Sequence, residues 1–221
     1  MATKKLDADL AQEIATTGDG RDITQPWLTL LKEPRDRRLL GAVDWGAYDV
    51  IRKDDRVKSC MVQRILAVIS AEWDVLPGDE DDPRSVKAAE IFKANLGEIS
   101  LDQLTEKMLW ANFYGIQIGE VIWQNPAERD DGHIGIKAVK VRHGRRFRYD
   151  KDMALRLITR GAPQGELLPD GKFWPLAVGA TNDDEPYGEG LADWLYWPVF
   201  FKRNAVRFWN IFLKKFGVKE S

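Results

Sequence analysis

Cysteine and histidine are almost missing from this sequence, and their scarcity removes whole classes of chemistry. Cys60 is the only cysteine, so no disulfide can form within the chain and a reducing compartment is the natural setting. It lies in an apolar helical pattern over residues 57–69, where a buried, inert thiol is expected. His133 and His143 are the only histidines, so a His/Cys zinc site lacks ligands and both read as surface or turn residues. No GxxxxGK[ST] loop is present and no GxGxxG lies between a strand and a helix; Gly188-Glu189-Gly190 is too short to count as a phosphate cradle. Serine is scarce and GxSxG does not occur, which sets a hydrolase aside together with an ATPase. The acidic stretches 79–82 and 183–185 lack the glycine and distal glutamate of a calcium loop, and read as solvated loops. No catalytic residue, metal or cofactor is therefore expected.

Long apolar runs are missing too. Nowhere does an uninterrupted stretch reach the ~18 residues of a membrane span, and Lys4 and Lys5 are followed by no apolar segment of a secretory signal. A net charge of −2 gives no global attraction to DNA or membrane, so charge has to be read locally. What is abundant is tryptophan: nine in 221 residues, within a composition 44% hydrophobic and 31% charged that describes a folded globular chain. The natural place of work is the cytoplasm or a particle assembled there.

Along the chain, residues 1–38 are polar and broken by Gly18, Gly20, Pro26 and Pro34, which reads as a mobile arm with one or two short helices. Val57, Met61, Ile65, Val68 and Ile69 recur at helical spacing. Residues 73–75 read as a short strand ending at Pro77-Gly78. Asp82 as N-cap with Pro83 behind it starts a second helix, which Gly97 can end. Ser100 with Gln103 makes a capping box for a third, which Gly115 closes. From Ile116 the period changes, and residues 116–123, 134–141, 146–149, 155–158 and 173–178 read as strands. Helices followed by a run of strands predict an α+β domain with a mainly antiparallel sheet.

The chain closes on DDEPYGEGLADWLYWPVFFKRNAVRFWNIFLKKFG, residues 183–217, which turns from acids into an aromatic-rich helix interrupted by Pro198. Pro198 should kink this helix or split it. Val206, Trp209, Phe212 or Leu213, and Phe216 recur at spacings of three and four, with Lys202, Arg203, Arg207, Lys214 and Lys215 between them and Gly217 as a plausible cap. A helix lying on its own domain shows one apolar stripe, so rings on several sides point to burial by partner surface.

Residues 187–217 closely resemble the segment entering the stem of portal proteins of Mu-like phages and prophages. RKDDRVKSCMVQRILAVISAEWDVLPGDEDDPRSVKAAEIF (52–92) is similar to the same family's N-terminal helix, strand and helix. LDQLTEKMLWANFYGIQIGEVIW, VRHGRRFRYDKD, LRLITRG and GKFWPLAVGA follow in the same order, so the resemblance covers most of the chain from about residue 23. It implies a non-enzymatic ring, usually dodecameric, at one vertex of the phage head, through which double-stranded DNA is packaged and ejected. Implied partners are further copies of the chain, a separate terminase, capsid and head–tail adaptor proteins, with no membrane. Implied locations are the virion, and the host cytoplasm during assembly. Residues 39–182 would be wing-like and 183–221 the start of the stem. Portals of this kind are much longer, so the sequence is expected to be an N-terminal part.

On that resemblance Trp194, Trp197, Phe201, Trp209 and Phe212 should divide between the chain's own core and a subunit interface. Lys202, Arg203, Arg207, Lys214 and Lys215 would face the channel or a neighbour's acids. Residues 137–160 carry nine Lys or Arg against two Asp, with Phe147 and Tyr149 interleaved. Arg142, Arg145, Arg146 and Arg148 in that stretch could grip DNA phosphates or meet Asp183, Asp184, Glu185, Glu189 and Asp193 of a neighbour. In Arg146-Phe147-Arg148-Tyr149, strand alternation offers a plainer outcome, with arginines in solvent and rings in the core. Two rivals to a ring follow: a DNA-binding module using residues 137–160, and a remnant that no longer assembles.

Overall fold

A computed structural model describes residues 46–126, 129 and 132–217; the arm expected over residues 1–38 lies outside them. Helix α1 (Gly46–Arg52) buries Tyr48 and Ile51. Helix α2 (Asp55–Ile69) begins where the Asp54 carboxylate accepts the N–H groups of Arg56 and Val57 at 3.1 and 3.2 Å, satisfying two donors a helix start leaves open. Its expected apolar face buries Val57, Met61 and Ile65, while Val68 at its far end stays exposed. Cys60 is half-buried rather than buried, because its position falls on the flank of that face.

The strand expected over residues 73–75 is not formed. Residues 72–77 pair with no strand among the described residues, the Asp74 side chain takes the Val75 N–H at 2.8 Å, and Trp73 is exposed. Helix α3 (Pro83–Glu98) starts as its cap predicts, with Asp82 accepting from the Arg84 N–H at 2.9 Å, and ends one residue past Gly97. Ser100 does precede helix α4 (Leu101–Met108), but its side chain makes no capping bond, so the expected box is absent. The chain then breaks and resumes as α5 (Ala111–Tyr114), closed by Gly115 at φ 86°.

Two three-stranded antiparallel sheets follow. Strand β1 (Ile116–Gln124) is central, flanked by β2 (Gly135–Arg142) and β6 (Phe173–Ala177). Pro175 sits in β6, an edge, where a missing donor costs no ladder bond. In the second sheet β4 (Leu155–Leu157) lies between β3 (Phe147–Tyr149) and β5 (Glu166–Leu167). β5 is two residues long, too short for any periodicity to reveal. The architecture is α+β, as the order of patterns predicts.

Helix α6 (Leu191–Phe216) ends the described chain as one helix. Pro198 does not split it: the proline removes only the bond to the Trp194 carbonyl, and Trp194 is exposed, so water can replace that donor. Gly217 stops it with φ −90°, its N–H donating to the Leu213 carbonyl at 2.7 Å. The core forms where α1, α2, α5, β1, β3 and the start of α6 converge, on Tyr48, Ile51, Met61, Ile65, Phe113, Ile116, Ile118, Phe147 and Val199.

Candidate assembly surface on the C-terminal helix

The direction in which α6 leaves the body is set by glycine backbone. Residues 187–190 lie against the chain at Gly115 and Val178, with Val178 N–H donating to the Gly115 carbonyl and Glu189 N–H to the Val178 carbonyl, both at 2.8 Å. A Cβ on Gly190 would lie 2.2 Å from the Phe113 carbonyl oxygen, and one on Gly188 would lie 2.3 Å from that of Val178. Tyr187 secures the loop by accepting the Tyr149 N–H at 2.8 Å with its buried hydroxyl. The Gly188-Glu189-Gly190 motif, no phosphate cradle, is therefore a close-packing device.

Only the first third of α6 is held. Ala192 and Val199 are buried, and Leu191, Leu195 and Tyr196 pack beside them against the core. Polar links add to this: the Tyr48 hydroxyl donates to Asp193, and Lys202 Nζ lies 2.9 Å from Asp54 and also bonds Asp55. Lys202, expected at a channel or a neighbour's acids, is thus bound within its own chain. One carboxylate, Asp54, both caps α2 and clamps α6. The Lys202 ammonium beside it holds its carboxyl below the usual range near 3.8. A carboxylate whose folded pKa is lowered stabilises above its ordinary pKa, and that contribution is lost as pH falls through the folded value. Urea midpoints should therefore drop between pH 6 and pH 3, and less so in Asp54→Ala. At pH 6 the same variant should lose about 0.5–2 kcal/mol from the helix cap alone.

Beyond Lys202 the helix has no packing partner among the described residues. From Phe200 to Gly217 every residue except Asn204 is exposed. At ~1.5 Å per residue the stretch after Lys202 runs about 20 Å. Eleven of the 21 exposed large hydrophobic side chains lie on α6, so exposed apolar surface is concentrated there and not scattered. The five rings expected to divide between core and interface do not divide. Trp194 (69%), Trp197 (57%), Phe201 (58%), Trp209 (61%) and Phe212 (53%) are all exposed, and the core share falls to their neighbours on the opposite face.

These rings are ordered along the helix. Trp194, Trp197, Phe201, Phe208, Phe212 and Phe216 recur at steps of three, four or seven, which places them on one face, with Trp209 at its flank. Trp197 stacks on Phe201 with centroids 6.0 Å apart, and Phe212 lies 5.2 Å from Phe216. Arg203, Arg207 and Lys214, separated by four and seven, share the opposite face, while Lys215 lies over the Phe216 ring at 5.4 Å. Exposed Phe200 and Ile211 fall among these cations at the same spacings, so the helix shows an aromatic side and, opposite it, a mixed basic and apolar side.

Three of the nine basic residues in 137–160 are engaged within the chain. Arg142 Nε binds Glu120 at 2.8 Å, Arg156 Nε binds Asp150 at 2.6 Å, and Arg148 donates to the Arg145 and Phe147 carbonyls. Arg145 and Arg146 are exposed, on the turn before β3. Phe147 and Tyr149 point into the core and offer no ring to a base. His143 is exposed, its Nδ1 accepting the Arg145 N–H, and His133 is half-buried.

Among the described residues no group of three or more His, Cys, Asp or Glu could hold a metal, and no helix is long and apolar enough to cross a membrane. The exposed aromatic helix is therefore the feature that calls for a partner. A family model described as the portal protein of Mu bacteriophage matches residues 45–218. The chain belongs to this portal family. No curated protein matches it. The portal match takes in the α+β body and α6 together, so the aromatic helix is part of the family's shared unit and not an appendage.

Proposed function

We propose that this portal chain is a ring subunit, with residues 39–182 as its wing-like part and residues 183 onward beginning the stem. The carrying observation is the aromatic face of α6, which has no packing partner among the described residues. In a head-to-tail ring each α6 packs between two neighbours, and both the face and its flank are covered. Burying six such rings is worth about 1.5–3 kcal/mol each, on the order of 10 kcal/mol or more per subunit. Association costs an estimated ~4–15 kcal/mol, so the stripe is large enough to drive assembly and not so large that losing part of it goes unnoticed.

Turned away from that contact, Arg203, Arg207 and Lys214 face the channel, where double-stranded DNA passes during packaging and ejection, or the acids of a neighbour. The ring, dodecameric in the family the sequence resembles, occupies one vertex of the virion. It is assembled in the host cytoplasm with terminase, capsid and head–tail adaptor proteins as partners. A DNA-binding module built on residues 137–160 is disfavoured because its rings face the core and Arg142, Arg148 and Arg156 are engaged within the chain. Negative-stain imaging of the purified chain tests the reading. Annular particles with an open centre are expected; a field of small single particles at micromolar concentration would contradict it.

A further inference from the structure

A second surface open to a partner is the outer edge of β2, which has no strand beside it among the described residues. Among the described residues β2 pairs only with β1, so alternate N–H and C=O groups along its other side point outward. A groove of about 380 Å³ runs there, lined by the six consecutive residues 137–142 on one side and by Ile99, Leu104 and Lys107 on the other. Successive strand residues point to opposite faces, so a groove touching all six follows the edge and not one face. Lys107, Lys137 and Lys140 are exposed and form no ion pair among the described residues. Of the remaining charges, Arg142 is bound to Glu120, and Glu98 at the groove's end is bound to Arg129 at 2.9 Å.

The chain also carries an exposed segment that pairs with no strand among the described residues. Residues 72–77, EWDVLP, belong to no helix or strand and bring Trp73 and Leu76 to the surface, 52% and 75% exposed. Acids surround them: Glu72, then Asp79, Glu80 and Asp81, none in an ion pair among the described residues, with Asp74 bound to Lys93. Among the described residues, an edge strand with one open side and an unpaired acidic segment bearing Trp73 and Leu76 are complementary in charge and apolar content. Lysines on an edge repel chance pairing by apolar strands, and an acidic strand is the kind they admit.

We propose that residues 72–77 of one copy add as a strand to the β2 edge of the next copy, a contact that rests on the ring reading above. Segment and groove are different surfaces, so each subunit gives one and receives one. That is the head-to-tail relation a closed ring requires. The contact would be separate from the aromatic stripe, tying wing to wing where α6 ties stem to stem.

Cysteine cross-linking tests it in the full chain. In a Cys60→Ser background, Ala138→Cys is co-expressed with Ala71→Cys, Val75→Cys or Pro77→Cys, and each pair is oxidised and run without reductant. A bridge needs Cα atoms within about 7 Å, so three positions sample the register. A covalent dimer is expected from at least one pair and from neither partner alone. Its yield should fall severalfold with Lys137→Glu and Lys140→Glu, and recover when Glu72→Lys and Glu80→Lys are added to the partner. The absence of a dimer from every pair overturns the proposal, as does a dimer from a single variant alone. A dimer that appears only after residues 1–45 are removed also overturns it, since the chain's own arm would then fill the groove. Light scattering on the unoxidised sample separates the two readings. A discrete oligomer without cross-links removes the β2 contact and leaves the ring; monomer removes both.

Discussion

Replacing Trp209 and Phe212 together by alanine is expected to turn an assembled ring into monomer while leaving the subunit folded. Both side chains are more than half exposed, on a stretch of α6 without a packing partner among the described residues. Their loss removes no core contact, and thermal unfolding of the monomer should move by no more than the ~0.5 kcal/mol of an ordinary surface change. At an interface, truncating a large aromatic anchor costs about 2 kcal/mol or more. Two in one stretch, Phe212 on the face and Trp209 at its flank, should weaken each contact by about 4 kcal/mol, close to a thousandfold. Since a ring repeats the contact at every junction, assembly at micromolar concentration should fail outright. Arg203→Ala with Arg207→Ala, on the opposite face, should leave assembly intact. Rings that survive the aromatic double variant would take the stripe out of the interface.

The second large effect is on the fold. Gly190→Ala should lower stability by about 3 kcal/mol or more, near 10 °C in melting temperature for a domain of this size. Gly190 has an ordinary φ of −82°, so the cost is not conformational. It comes from space: the added Cβ would meet the Phe113 oxygen at 2.2 Å, the Gly115 nitrogen at 2.5 Å and the Tyr114 carbonyl carbon at 2.6 Å, all of them main chain. No rotamer change relieves such contacts, and the loop that launches α6 has to shift. Gly97→Ala is the matched control. It lies inside α3 with nothing within 4 Å of its added methyl, and should be neutral or stabilising by about 0.5–1 kcal/mol. Equal melting temperatures for Gly190→Ala and the parent would refute the close approach of residues 187–190 to α5.

What the sequence made legible was local. A 3.6-residue period marked α2, Asp82 with Pro83 marked the start of α3, and alternation in Phe147-Arg148-Tyr149 put rings inside and arginines outside. The aromatic density of residues 194–216 marked α6 as unusual for the same reason, and most of those rings are exposed. Which of its rings were free was not legible, because Leu191, Leu195, Tyr196 and Val199 are held by residues far off in the chain, and nothing local distinguishes Tyr196 from Trp197. Distance in sequence also hid the clamp on Lys202, which reaches back to Asp54 across 148 residues. The false strand at residues 73–75 arose from the opposite error: its composition suits a strand, but a strand needs a neighbour, and pairing is not a local property. The glycines at 188 and 190 were visible as letters, but only the approach of the main chain at Gly115 gives them a reason.

Coverage of the exposed face of α6 by other copies of the chain is what the proposed function requires. Its most direct test is the mass of the purified protein by light scattering after size exclusion, at low and high salt. A discrete species of about a dozen subunits, persisting at high salt because aromatic burial is not screened, is the predicted result. A clean monomer near the 25.2 kDa of the single chain at both salt concentrations would contradict it.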